Sequence, residues 1–144
     1  MDIENTLEIA ASADVVWALT LDVERWPELT PTMTSVKRRD DGPLGPGSTA
    51  RIEQPGMPPA VWTVTDVVPE RLFAWQTKLG PVTVRAVHQI DATDGGCRNT
   101  LKVDLIGFGS GVLRTIGGRR LVKAITTENL GFKRAAEAAA ASGD

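Results

Sequence analysis

The chain has no tyrosine, one cysteine and one histidine. A single cysteine, Cys97, cannot form an internal disulfide. With His88 as the only histidine there is no second Cys or His motif around which to read a metal site, so neither metal nor cofactor is expected. The missing tyrosine leaves four tryptophans and three phenylalanines as the whole aromatic set. An excess of either charge is also lacking: 16 basic against 18 acidic residues give a net charge of −2. The basic residues of the last third are interleaved with Thr, Asn and Glu rather than gathered into an aromatic-studded patch, so no nucleic-acid partner is expected. No window approaches the run of about 18 apolar residues that a membrane span needs. The start, Met1-Asp2-Ile3-Glu4, is acidic where a secretory signal carries basic residues and then an apolar run. These absences lead us to expect a soluble cytoplasmic protein with no stable membrane association.

What is present suits one globular domain covering residues 1–144. The chain is 42% hydrophobic and 24% charged, and at this length a domain buries roughly 68–70% of its unfolded surface. Ile3, Asn5, Leu7 and Ile9 alternate with Glu4, Thr6 and Glu8, the period-2 pattern of a strand with one buried face. Ser12 ahead of Ala13-Asp14-Val15-Val16-Trp17 is a helix start signal, and that helix should end near Asp22. Val23 to Trp26 suits another turn or two before Pro27 stops it. Further strands are expected over residues 33–39, 48–54, 60–68, 71–78, 82–91 and 99–106, separated by Gly- and Pro-rich turns. In residues 60–68, Val61, Thr63, Thr65 and Val67 alternate against Trp62, Val64, Asp66 and Val68. Asp94-Gly95-Gly96 is a tight-turn sequence joining the last two strands, and Cys97 beside it is expected to be an inconsequential surface thiol.

The last third, Gly107 to about Ala141, reads as one long amphipathic helix. At 100° per residue, Arg119, Lys123, Thr126, Asn129, Lys133, Arg134 and Glu137 form a polar flank. Gly117, Leu121, Ala124, Ile125, Phe132 and Ala135 form the apolar side, with Glu128 near the middle of the stripe. Small residues, Gly131 among them, stand where a core-filling helix would place Leu or Met. Either this helix packs closely on a sheet with Glu128 tilted to the rim, or it roofs a cavity. Gly117-Gly118, costing about 2 kcal/mol relative to Ala, should mark a kink or weak turn, with a late helix start or backbone crowding ranked ahead of a flexible segment gating a cavity mouth.

Seven strands, two short helices after the first and a long helix at the end give an α+β chain in the order β-αα-β6-α. A meander of six strands forms an antiparallel sheet with one apolar face that must be covered, and only the last helix is long enough to cover it. This order resembles the START-like, or SRPBCC, superfamily, in which a curved seven-stranded antiparallel sheet wraps the C-terminal helix in a helix-grip fold with a cavity between them. The likeness is carried by Ala13-Asp14-Val15-Val16-Trp17 with Asp22 and Trp26-Pro27, Val68-Pro69-Glu70-Arg71-Leu72, His88, Gly107, and Gly131-Phe132-Lys133 with Glu137. Together these look like the polyketide cyclase/dehydrase branch. The resemblance implies a cavity that binds a small apolar molecule, with no cofactor.

Members that cyclise polyketides use cavity-lining Arg, Tyr, Asp and His, and this chain has no tyrosine. Strand alternation places His88 inward with Val84, Ala86 and Ile90, and Asp66 beside Trp62 and Val64 is a further inward candidate. The helix adds Glu128 and Arg114. The expected ligand-binding set is Trp62, Val64, Trp75, Val84, Ala86, His88, Leu121, Ala124, Ile125, Glu128 and Phe132, with His88 and Glu128 as candidate acid–base residues. A buried carboxylate needs a proton or a partner. His88, Arg114, Arg51 and Arg85 are the candidates, the last only if Glu128 swings to the helix edge. The chain then reads as a carrier or sensor of an apolar lipid- or polyketide-like molecule, as a monomer or homodimer. A cyclase/dehydratase using His88 and Glu128 is the alternative, and an interaction protein a third class for which the sequence shows neither apolar nor strongly charged patch.

Overall fold

The computed structural model describes residues 2–142. Strand β1 (Asp2–Ile9) is followed by α1 (Ala13–Leu21), a 3-10 turn (Val23–Arg25) and α2 (Trp26–Leu29). Then come β2 (Ser35–Arg38), β3 (Thr49–Glu53), β4 (Ala60–Val68), β5 (Leu72–Leu79), β6 (Val82–Thr93), β7 (Gly96–Ile106) and the 32-residue helix α3 (Ser110–Ala141). The seven strands form one antiparallel sheet in the order β1-β7-β6-β5-β4-β3-β2. The expected element order holds throughout.

Local differences from the sequence reading each have a physical cause. Pro27 does not stop a helix but sits in the first turn of α2, where a missing N–H costs nothing and a fixed φ suits the helix. Helix α3 begins at Ser110 rather than Gly107, because Gly107 (φ +116°) and Gly109 (φ +87°) lie outside the helical region. β7 begins at Gly96, so Cys97 is a strand residue opposite Ile9 and Ala92; it is buried in the core rather than a surface thiol. In β4 a bulge between Val64 and Asp66 reverses the alternation. Val67 packs toward the core, and Asp66 turns outward to pair with Arg85 at 2.9 Å.

The core under the sheet's concave face centres on Trp26, Phe73, Trp75 and Phe132, all almost completely buried. Trp26 meets Phe132 edge-to-face at 5.6 Å and Trp75 at 5.2 Å between ring centroids, arrangements that ring quadrupoles favour. The two halves of α3 are held differently. From Ile125 on, the inner face is buried, and three ties fix it to the neighbouring strands. Asn129, expected on the solvated flank, is instead fully buried between Asn5 and Asn99. Lys133 donates to the Glu8 carbonyl at 2.9 Å, and the Ala10 N–H donates to Glu137 at 2.9 Å. Residues 110–124 include no buried side chain.

Gly117 and Gly118 lie inside this loosely held half without interrupting the helix, and neither is crowded. A methyl at Gly118 would meet only Arg114 Cγ, at 3.9 Å, so Gly118→Ala should raise stability by about 1 kcal/mol through helix propensity. Gly131→Ala should act in the opposite sense. There a methyl would run into the Leu29 carbonyl oxygen, so one of two packed backbones must move, at a cost of about 1–3 kcal/mol. Chemical denaturation of the two variants checks both signs; a stabilised Gly131→Ala would show that α2 and α3 do not pack this closely.

Candidate functional site

Between the loosely held half of α3 and the sheet lies a cavity of about 750 Å³. Its floor consists of inward residues of consecutive strands: Trp62 from β4, Trp75 and Leu79 from β5, Val84, Ala86 and His88 from β6, and Leu101, Val103 and Leu105 from β7. Register explains the grouping, since Trp75 pairs with Ala86 and Ala86 with Val103, all on the same face. The roof is Leu113, Gly117, Leu121, Ala124, Ile125 and Glu128, spaced at three and four residues along α3. Met33 and Ile52 close one side, and Gln54, Pro55 and Met57 of the β3–β4 loop stand beside Arg120.

Nine of the eleven residues proposed from sequence line this space: Trp62, Trp75, Val84, Ala86, His88, Leu121, Ala124, Ile125 and Glu128. Val64 and Phe132 do not; they are packed in the core, 2% and 0% exposed. Asp66 lies on the outer face with Arg85, which rules out Arg85 as the partner of Glu128. Arg51 pairs with Glu53 at 2.6 Å, and Arg114 is exposed and not among the lining residues. Sequence reasoning missed Leu101, Val103 and Leu105, although their alternation was legible. It also missed Trp26, Thr32, Met33 and the 54–57 loop, which carry no periodic signal and arrive by tertiary folding alone.

One buried polar cluster interrupts the apolar lining. His88 Nε2 lies 3.9 Å from Glu128 Oε1, longer than a hydrogen bond, and both side chains are nearly buried. The imidazole is enclosed by Trp26 (5.0 Å), Phe132 (5.5 Å) and Phe73 (5.9 Å), and its Nδ1 has no hydrogen-bond partner. Burial in this apolar cage lowers its pKa to about 3, so the ring is neutral at physiological pH. Burial pushes the Glu128 carboxyl up to about 7, opposed by a hydrogen bond from Thr32. The Thr32 hydroxyl is itself 2.9 Å from that of Thr30. Near neutrality the cavity therefore holds a carboxyl able to give or take a proton beside a neutral imidazole. No group of His, Cys, Asp and Glu among the described residues is arranged to hold a metal ion.

A curved antiparallel sheet gripping a long C-terminal helix over an apolar cavity defines a helix-grip protein. The chain belongs to the polyketide cyclase / dehydrase and lipid transport family, whose model matches residues 1–137. Among curated proteins none matches it. Similar solved structures include the di-domain aromatase/cyclase StfQ of the steffimycin biosynthetic pathway (TM-score 0.77, 14% identity, 97% of this chain and 51% of that one). The Zhui aromatase/cyclase of Streptomyces sp. R1128 aligns with a TM-score of 0.68 and 20% identity over 97% of this chain and 93% of that one. Ara h 8.0201 aligns at 0.71 with 15% identity over 99% and 98%. The chain thus spans about half the length of the di-domain protein, and at these identities the likeness concerns the fold. No helix among the described residues is long and apolar enough to cross a membrane.

Proposed function

We propose that the protein binds a small apolar molecule, lipid- or polyketide-like, between its sheet and α3, as a carrier or sensor. The observation that carries this reading is the cavity itself: about 750 Å³, lined mainly by Val, Leu, Ile, Ala, Met and Trp, with a buried polar cluster at Glu128 and exposed bases, Arg120 and Lys123, toward its edge. A space of this size falls in the usual range of small-molecule sites, and such a lining favours apolar ligands held by shape and desolvation. Trp26, Trp62 and Trp75 line the cavity, so occupancy should quench tryptophan emission. Titration with an apolar panel of fatty acyl esters, sterols and aromatic polyketides is expected to give saturable quenching with at least one member. Native mass spectrometry of the purified protein would show a retained ligand. Absence of saturable binding across the panel would remove the reading.

A second reading, a cyclase/dehydratase acting on a polyketide-like substrate, is favoured by one observation. Glu128 carries a pKa of about 7 next to a neutral His88, and a group poised near the working pH is the efficient general acid or base. The two aromatase/cyclases among the similar structures fit this reading. A bound polyketide recovered unchanged from the wild type and from Glu128→Gln alike would leave the carrier reading standing alone.

A further inference from the structure

The cavity has ends of opposite electrical character. At the inner end is the acid Glu128, with Thr32 and His88. Toward the other, Arg120 and Lys123 stand about 12 Å and about 8 Å earlier along the axis of α3, both lining the cavity and both exposed. Among the described residues neither has a carboxylate in ion-pair reach. Residues 107–127 hold four bases and no acid, while the rest of the chain, with twelve bases and eighteen acids, carries −6. The Arg120 guanidinium rests over the β3–β4 loop. A methyl on Gly56 would come within 2.5 Å of one of its nitrogens, and the glycine's φ of +76° is one that other residues rarely adopt. An always-charged fork is thus held beside Gln54 and Met57 at the edge of an apolar space.

We propose that the ligand is an amphiphile with a single carboxylate head, bound head-outward against Arg120 with Lys123 beside it, its apolar tail running inward beneath α3. This rests on the binding reading above and names the class of ligand and its direction. The reverse direction would bring the carboxylate to Glu128, where an acid in an apolar setting repels a second negative charge and has no cation to offset it. At the rim the carboxylate keeps partial hydration and gains a bidentate partner, while only the tail is desolvated. Arg120 thereby selects between ligands of equal apolar content.

The test uses dodecanoate and methyl dodecanoate, which share a tail and differ in head charge, titrated against the full chain at pH 8 with tryptophan emission as readout. The wild type is expected to bind dodecanoate about tenfold more tightly, a difference that shrinks in 0.5 M salt as charge contacts are screened. Arg120→Gln, an exposed substitution between two good helix formers, should bring dodecanoate down to the affinity of the ester, and Lys123→Gln should lower it by a smaller factor. Equal affinities in the wild type, or a preference that survives in the Arg120→Gln/Lys123→Gln double variant, would overturn the head-group inference and leave apolar binding intact. Saturable binding of neither compound would overturn both.

Discussion

Replacing Asn129 by alanine should cost about 4 kcal/mol of stability, a large share of what a domain of this size has. Its Nδ2 donates to the Asn5 carbonyl (3.2 Å), Asn5 Oδ1 (2.8 Å) and the Asn99 carbonyl (3.0 Å), while its Oδ1 accepts from Asn99 Nδ2 at 2.8 Å. One amide, itself fully buried, thus joins α3 to β1 and β7. Truncation removes these bonds and strands the Asn99 amide, whose Oδ1 already lacks a partner, so the desolvation cost of that group is left uncompensated. Because Asn129 anchors the closely packed half of α3, the variant should also lose hydrogen-exchange protection across Ile125 to Ala136. Urea denaturation of Asn129→Ala checks the magnitude; a loss below 1 kcal/mol would show that the cluster is wet or adaptable.

Glu128→Gln should stabilise the protein at pH 8 by roughly 3 kcal/mol, with the gain disappearing below about pH 4.5. Burial raises the Glu128 carboxyl from 4.5 to about 7. Between those values the folded state holds a proton that the unfolded chain has released, so stability falls as pH rises and stays lowered above 7. Glutamine has no such dependence. His88 works in the opposite sense: burial lowers its pKa from 6.5 to about 3, so its contribution is complete above 6.5 and is lost as pH falls toward 3. In the wild type the two slopes oppose each other between about 4.5 and 6.5 and produce a plateau. In Glu128→Gln only the His88 slope remains of the pair, and stability climbs across that interval. Unfolding free energies at pH 4, 6 and 8 distinguish these profiles, and parallel curves for the two proteins would mean that Glu128 is solvated when the protein is folded.

The opposite behaviour of Glu128 and Asn129, adjacent in sequence and both buried, shows how the helix divides its work. Asn129 faces the junction of β1 and β7, where each polar atom it carries finds a partner. Glu128 is rotated by 100° toward the cavity, where the nearest base is 3.9 Å away and uncharged. The first arrangement serves stability. The second keeps a titratable group at the edge of an apolar space, at a cost to stability that is greatest above neutral pH.

The sequence by itself determined the order of elements, the antiparallel meander, the long covering helix and a core part of the cavity lining. Those features follow from periodicity: period 2 along β1, β6 and β7, and a period near 3.6 along α3, sort side chains into faces before any contact is known. His88 and Glu128 were legible for the same reason, each sitting on the apolar face of its element. The tertiary structure decided what periodicity does not encode. A single bulge in β4 sent Asp66 outward to Arg85, because one added residue exchanges the faces of all that follow it. Asn129 went inside although its angular position put it with charged neighbours, because Asn5 and Asn99 met it there. Val64 and Phe132 became core rather than lining, since their shared face lies partly under the aromatic cluster and partly under the open space. Arg120, assigned no role from sequence, stands at the cavity edge because the 54–57 loop folds against it, a neighbour more than sixty residues away in the chain.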